Sequence, residues 1–332
     1  MQKKLYFILF LMISFSKIFA QETQITFAAD KDCEVLIYKP IDGGYNEKIP
    51  AERFIINSKK TACFKTAVSQ YTFILCQFPQ YQRFCNLLLF PNDSIQIHLD
   101  EQELIFQGSN HIGLQYYYDN FEKDPNLEKY LKMQSVFKEY IDNKRALSTI
   151  LPTINDTLHI SSQFKEIEEL PLHTDTKDCF AEAIRKEVYM YINSEIISLF
   201  HYALSEKQKN GSLAADDSIR IQEIIDNIYE QLPISYELMK YPSNIYVWRY
   251  FGHYFGNREC PEEYDPEMCG PYTKYLFAPT EMQPVLLGHA CLVQLKYNTG
   301  EMNLNKLKKF FNERFPDSEY TAIINEQVKD EP

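Results

Sequence analysis

Apolar and polar residues alternate in short runs between Gln21 and Ser109: ITF at 25–27, CEVLIY at 33–38, RFIIN at 53–57, ACFKTAV at 62–68, YTFILCQF at 71–78, FCNLLLF at 84–90, SIQIHLD at 94–100 and LIFQG at 104–108. Successive side chains of a strand point to opposite faces, so this alternation describes strands with one buried face. Turn-forming residues separate the runs: Asp42-Gly43-Gly44, Asn57-Ser58, Pro79, Pro91-Asn92-Asp93 and Gly108-Ser109. Seven or eight strands at intervals of about eight to twelve residues predict an antiparallel β-sandwich or open barrel over residues 21–109.

After Asn110 the period changes. Leu114, Tyr117, Tyr118, Phe121, Leu131, Met133, Phe137 and Tyr140 recur at helical spacings, with Pro125 between them, which predicts two helices. The stretch from Leu151 to Asp178 is polar, carries two prolines and reads as a long connection near 151–178. Helical patterning resumes from Cys179 and ends at Asn210-Gly211, a C-cap signal. Asp217-Ser218 is expected to cap the next helix, and Tyr236–Phe255, Glu281–Tyr297, Asn303–Phe315 and Ser318–Val328 supply the rest. The paired helices resemble an irregular solenoid, without a convincing repeat. The fold class is therefore α+β, with a larger all-helical domain over residues 110–332.

Residues 1–20 read differently. Lys3 and Lys4 precede an apolar stretch from Leu5 to Phe15, and Ala20 is followed by polar Gln21. That pattern predicts a secretory signal peptide cleaved after Ala20. No later run reaches the roughly 18 apolar residues of a bilayer span, so a protein without a further transmembrane segment is expected, exported to the periplasm or beyond the cell. Cleavage would remove Lys3, Lys4 and Lys17 and take the formal net charge from −12 to −15. Such an acidic chain is a poor partner for nucleic acid.

Glycine is scarce, with ten residues, and the chain contains neither GxGxxG, nor GxxxxGK[ST], nor GxSxG. Nucleotide-dependent and serine-hydrolase chemistry lose their usual supports. Cys269-Gly270-Pro271-Tyr272 lies one residue away from a thiol–disulfide oxidoreductase centre. A reactive cysteine of that kind needs a buried strand before it and a helix N-terminus beneath it. Here the preceding residues are acidic and broken by Pro261 and Pro266, and nearby carboxylates raise a thiol's pKa. A disulfide between Cys260 and Cys269 is the competing reading, since closing a ten-residue loop stabilises by about 2.5–3 kcal/mol in the chain-entropy model. Cys33, Cys63, Cys76 and Cys85 lie in predicted strands, where disulfides and buried small hydrophobes are both open. Cys179 and Cys291 fall on helices and are expected to stay reduced.

His253, His289, Cys260, Cys269 and Cys291 lack the paired close spacings of a zinc site, and the carboxylates Glu262, Glu263, Asp265 and Glu267 lack a calcium loop's glycine turn. Neither a metal nor a cofactor is expected. Tyr246, Trp248, Tyr250 and Tyr254 mark an aromatic helix that serves either as the centre of the helical domain or as a binding platform. On that helix Tyr246, Tyr250 and Tyr254 share one stripe, while Trp248, Phe251 and Phe255 share another.

The segments FQGSNHIGLQYYYDNF at 106–121 and FFNERFPDSEY at 310–320 carry a resemblance. With the signal peptide and the order of β and helical parts, the chain resembles the N-terminal, non-catalytic region of exported thioredoxin-like proteins of Bacteroidetes. The likeness spans most of residues 21–328 by pattern, and the chain ends at Pro332, where that family's thioredoxin domain would start. The resemblance implies a Gram-negative host and a binding or scaffold role, with a thioredoxin-like domain recruited in trans as one partner. An unknown protein or glycan remains the other class of partner. A cryptic enzyme, using Cys269 or a pair of carboxylates, stays open beside these readings.

Overall fold

The computed structural model describes residues 21–327 apart from 101–102, 124–126, 159, 173–175, 262–263, 265–269 and 298–303. The predicted signal peptide, Pro125, Cys269 and the carboxylates Glu262, Glu263, Asp265 and Glu267 lie outside the described residues. The chain divides into two compact units: one runs to Tyr38 and takes in Pro50–Lys123 and Leu170–Phe180, and the other comprises Lys39–Ile49, Asp124–Glu169 and the chain from Ala181 onward. The break at residue 110 drawn from composition therefore misses that segment 39–49, between two strands in sequence, belongs to the helical unit.

The first unit holds eight strands: β1 (Gln21–Ala29), β2 (Cys33–Tyr38), β3 (Glu52–Ile56), β4 (Ala62–Val68), β5 (Thr72–Phe78), β6 (Arg83–Leu89), β7 (Ser94–Leu99) and β8 (Leu104–Gly108). They form two open four-stranded sheets, in the orders β4-β1-β7-β8 and β3-β2-β5-β6. Ile25, Phe27, Ile95 and Ile97 from the first sheet and Val35, Ile37, Ile74, Phe78 and Leu87 from the second are fully buried. The rings of Phe27 and Phe78 stand 6.2 Å apart across the two layers. Burial of each such side chain stabilises by about 1.5–3 kcal/mol, which is why the alternation in sequence selects this packing. One pairing departs from the antiparallel expectation: β1 and β7 are parallel, with Ile25 opposite Ile95 and Phe27 opposite Ile97. Alternation assigns a residue to a face, and both pairings satisfy it equally.

Strand β6 lies at a sheet edge, where unpaired backbone groups need cover. Helix α1 (His111–Tyr117) runs into a π-turn at Tyr118–Glu122, and that turn supplies it. Glu122, 7% exposed, accepts the backbone N–H of Asn86 at 2.9 and 3.1 Å and its side-chain amide at 2.5 Å. Arg83 donates to the Tyr118 hydroxyl at 3.0 Å. Gly113 lets α1 approach closely, since a Cβ there would fall 2.5 Å from the Phe180 ring.

The helical unit contains α2 (Leu127–Ile141), α3 (Leu147–Leu158), α4 (Ile160–Glu169), most of the 33-residue α5 (Lys177–Lys209), α6 (Ala215–Gln231), α7 (Ile245–Phe255), α8 (Gln283–Tyr297), α9 (Leu304–Arg314) and α10 (Glu319–Gln327). The polar connection expected near 151–178 is corrected by α3 and α4, which occupy most of it. Ile150, Ile154 and Ile167 are buried there, and a few apolar anchors at helical spacing suffice once neighbouring helices cover them. Helix α5 buries Ala183, Ile184, Val188, Ile197 and Phe200 on several sides, as befits a central helix. It ends as expected: Gly211 takes φ +63°, Ser212 N–H donates to the Lys207 carbonyl at 2.8 Å, and Gly211 N–H donates to Gln208 at 3.1 Å.

Two further expectations are corrected. Helix α6 is preceded by Ala214 in extended conformation, so Asp217 sits in its first turn rather than capping it; there it accepts the Tyr140 hydroxyl at 2.9 Å. The helix expected over Tyr236–Phe255 is a 3₁₀ turn at Tyr236–Lys240 and then α7, broken at Pro242, whose ring disfavours a helical residue before it. Segment 39–49 is held by α10: Asp42 accepts the Glu319 N–H at 2.8 Å and the Ser318 hydroxyl. Among the described residues no helix is long and apolar enough to cross a membrane.

Glu122→Ala leaves the outward Asn86 N–H buried without its acceptor. Equilibrium urea denaturation is expected to show a loss of about 2–3 kcal/mol, against under about 0.5 kcal/mol for the exposed control Glu326→Ala.

Candidate functional site: a histidine pair between three helices

Helices α5, α6 and α7 bring together side chains that lie far apart in sequence. Glu195 and His201 come from α5, Gln222 and Asp226 from α6, and Arg249, His253 and Tyr254 from α7. The α6 pair sits at i,i+4, as does Arg249 with His253, so each helix offers one face to the cluster. His253 Nδ1 lies 2.9 Å from His201 Nε2, with ring centroids 4.9 Å apart. Gln222 Nε2 lies 2.7 Å from His253 Nε2 and 2.8 Å from Asp226 Oδ1. Tyr254 donates its hydroxyl to the same carboxylate oxygen.

These partners fix the protons. A carboxylate only accepts, so the Gln222 atom facing Asp226 is the NH₂ group, and its second hydrogen points to His253 Nε2. His253 Nε2 therefore accepts, and His253 carries its proton on Nδ1, which donates to His201 Nε2. The hydrogen bonds run outward from Gln222 in both directions, and both imidazoles are neutral. The electrostatics agree: burial, reinforced by His253 and Arg249, pushes His201 down to about 4. Burial also lowers His253, against the opposing pull of Asp226. Arg249 pairs with Glu195 at 3.6 Å, and its buried Nη1 meets no hydrogen-bond partner among the described residues. Tyr202, which follows His201 in sequence, is 58% exposed, and Ile219, three residues before Gln222, is 60% exposed.

The aromatic helix divides as its two stripes suggest. Tyr246 is fully buried and donates its hydroxyl to the carbonyls of Ile228 and Leu232 at 3.1 and 3.2 Å. Tyr250 and Tyr254 are half-buried around Tyr229, with interplanar angles of 79° and 64° to it. Trp248 lies on the other stripe, 4.9 Å from Tyr275 and 4.6 Å from His289 at 78° and 57°. Tyr246, Tyr250 and Tyr254 thus gather around Tyr229 in tilted and edge-to-face contacts, Trp248 packs separately, and Tyr246 belongs to the core. The structure brings Tyr254 and His253 into the cluster. His201, Gln222, Asp226 and Arg249 escaped sequence reasoning, because the two histidines are 52 residues apart and neither stands in a motif. Polar residues at i,i+4 on otherwise apolar helix faces are the only signal they leave.

The remaining candidates fall elsewhere. Among the described residues no group of three or more His, Cys, Asp or Glu side chains could hold a metal. Six described cysteines, Cys33, Cys63, Cys76, Cys85, Cys179 and Cys291, are free thiols. Burial pushes Cys33 up to about 11 and Cys291 up to about 12. Cys260 is not among the free thiols, and Cys269 lies outside the described residues. His289 is pushed down to about 4, chiefly by burial and further by Lys48. Comparison with family models, curated proteins and solved structures finds no match to this chain.

His201 and His253 have pKa values depressed by folding, so the unfolded chain binds more protons. Their contribution is complete above about pH 6.5, the unfolded value, and falls away as the pH drops toward 4. The expected loss for His201 is on the order of 2 kcal/mol after solvent screening. Urea midpoints measured from pH 7 to 4 should fall, and His201→Gln, which retains an acceptor without a titrating ring, should flatten part of that slope.

Trp248 is the single tryptophan, and a protonated imidazole quenches indole emission. Trp248 fluorescence is expected to drop with a midpoint near pH 4, set by His289, and His289→Leu should remove the step.

Proposed function

We propose that this chain is a non-catalytic binding or scaffold module of an exported protein, equivalent to the accessory half of the thioredoxin-like proteins it resembles. The observation that carries this reading is the closed network between α5, α6 and α7. Both ring nitrogens of His253, both amide hydrogens of Gln222 and one oxygen of Asp226 are engaged with protein neighbours, so the cluster holds helices in register instead of presenting a base to a substrate. Tyr202 on α5 and Ile219 on α6 are exposed, and apolar side chains left open on these helices suit a polypeptide partner, such as a thioredoxin-like domain supplied by another chain. The tilted and edge-to-face rings of the aromatic helix disfavour flat stacking of a sugar.

A disulfide between Cys260 and Cys269 belongs to the same reading. It is supported by the absence of Cys260 from the free thiols. The purified protein is expected to show no insulin-reducing activity at neutral pH, and Cys269 should resist iodoacetamide until strong reductant is added. Cys260→Ala/Cys269→Ala should lower stability by about 2–3 kcal/mol. Insulin turnover, or a Cys269 that alkylates rapidly in the native protein, would replace the scaffold reading with a thiol enzyme.

A further inference from the structure

The strand register places two thiols face to face. In β5 and β6, Cys76 stands opposite Cys85. Both are fully buried between the sheets, and each thiol lies within the other's electrostatic reach. The neighbouring pair defines their geometry. Asn86 turns its backbone N–H outward to Glu122, so Leu75 and Asn86 form a pair that shares no backbone hydrogen bonds. Pairs alternate along an antiparallel ladder, so Cys76 and Cys85 form the hydrogen-bonded kind, with Cα atoms about 5.5 Å apart. A disulfide bridges Cα separations of about 4.4–6.8 Å. The other strand cysteines have no such partner: Cys33 stands opposite Ile56, and Cys63 opposite Thr26.

We infer that Cys76 and Cys85 are a cross-strand dithiol that a small disulfide oxidant closes into a bond joining edge strand β6 to β5. The Cys85 thiol loses its proton to solvent, and its sulfur attacks the oxidant's disulfide. A mixed disulfide forms, and one oxidant thiolate leaves and takes up a proton. The Cys76 thiolate then attacks the Cys85 sulfur and expels the second oxidant thiolate. Two cysteine thiols are oxidised, and one oxidant disulfide is reduced to two thiols. Both sulfurs are shut away from solvent in the closed sheet, so exchange takes place while the chain folds or while β6 lifts from its neighbour. The bond then ties down the one strand of this sheet whose outer edge rests on the Asn86–Glu122 contact.

The sequence separates this cross-link from any other. Trypsin cuts after Arg83, between the two cysteines, so the bond appears as peptide 66–83 linked to peptide 84–123, whereas Cys260 and Cys269 share peptide 259–274. The full chain is unfolded in reductant, refolded either in oxidised and reduced glutathione or in dithiothreitol alone, then alkylated and mapped without reduction. The linked pair is expected only after oxidative refolding, together with a higher Tm than the reduced protein. That increment should persist in Cys260→Ala/Cys269→Ala and vanish in Cys76→Ala or, where that variant does not fold, in Cys85→Ala. Recovery of Cys76 and Cys85 both alkylated after oxidative refolding of the wild-type chain, or of either linked to a different cysteine, would overturn the inference.

Discussion

The placement of α7 depends on one buried carboxylate. Glu187 on α5 is 2% exposed, and it accepts the backbone N–H of Ser243 at 3.1 Å and the Ser243 hydroxyl at 2.6 Å. Ser243 lies just ahead of α7, and its carbonyl accepts the Tyr246 N–H at 3.0 Å. A carboxylate taken out of water is tolerated only where fixed donors replace its hydration, and the positive end of a helix favours it further. Helix α7 carries Tyr246, Trp248, Arg249, His253 and Tyr254, so the packing of the aromatic rings and the hydrogen bond between the histidines inherit their geometry from this contact.

The same device recurs wherever the chain becomes irregular. Glu122 fixes the π-turn against the edge of β6. Lys207, 3% exposed in the last turn of α5, donates to the Tyr140 carbonyl at 3.2 Å and to Asn143, and rests 4.5 Å from the centre of the Tyr140 ring. A cation at a helix C-terminus and an anion at an N-terminus both lie along the helix dipole. Asp42 does for α10 what Glu187 does for α7, and because it sits in segment 39–49 it also binds that excursion into the helical unit. Removing any of these groups strands its partner, so each acts on specificity as much as on stability.

Much of this was legible in the sequence, and the limit has a physical cause. Short apolar runs between turn residues located all eight strands: alternation marked those buried on one face, and continuous runs marked β5 and β6, which are buried on both. Alternation could not show that β1 lies parallel to β7, since both pairings put Ile25 and Phe27 on the same face. Gly211 announced the end of α5 because only a residue tolerant of positive φ serves there. Helices α3 and α4 were hidden by Pro152 and a polar composition, and their three buried isoleucines acquire meaning only from the neighbours that cover them. The aromatic stripes of α7 were readable from spacing alone. The pairing of His201 with His253 was not, because it is a contact between helices, and neither the sequence around His201 nor that around His253 encodes the other.

A common principle links the histidines to the cysteines. Burial disfavours the charged form of either group, lowering an imidazole and raising a thiol, and in this chain it acts in both units: on His201, His253 and His289, and on Cys33, Cys85 and Cys291. At neutral pH these side chains are uncharged, and they pack and hydrogen-bond as small rings and soft apolar groups. Catalysis by histidine or cysteine asks for the opposite, a group held near its titration point and open to a substrate. The buried carboxylates Glu122 and Glu187 accept the backbone N–H groups of Asn86 and Ser243. The buried imidazoles and thiols are thereby held neutral inside the fold, while Tyr202 on α5 and Ile219 on α6 stay exposed.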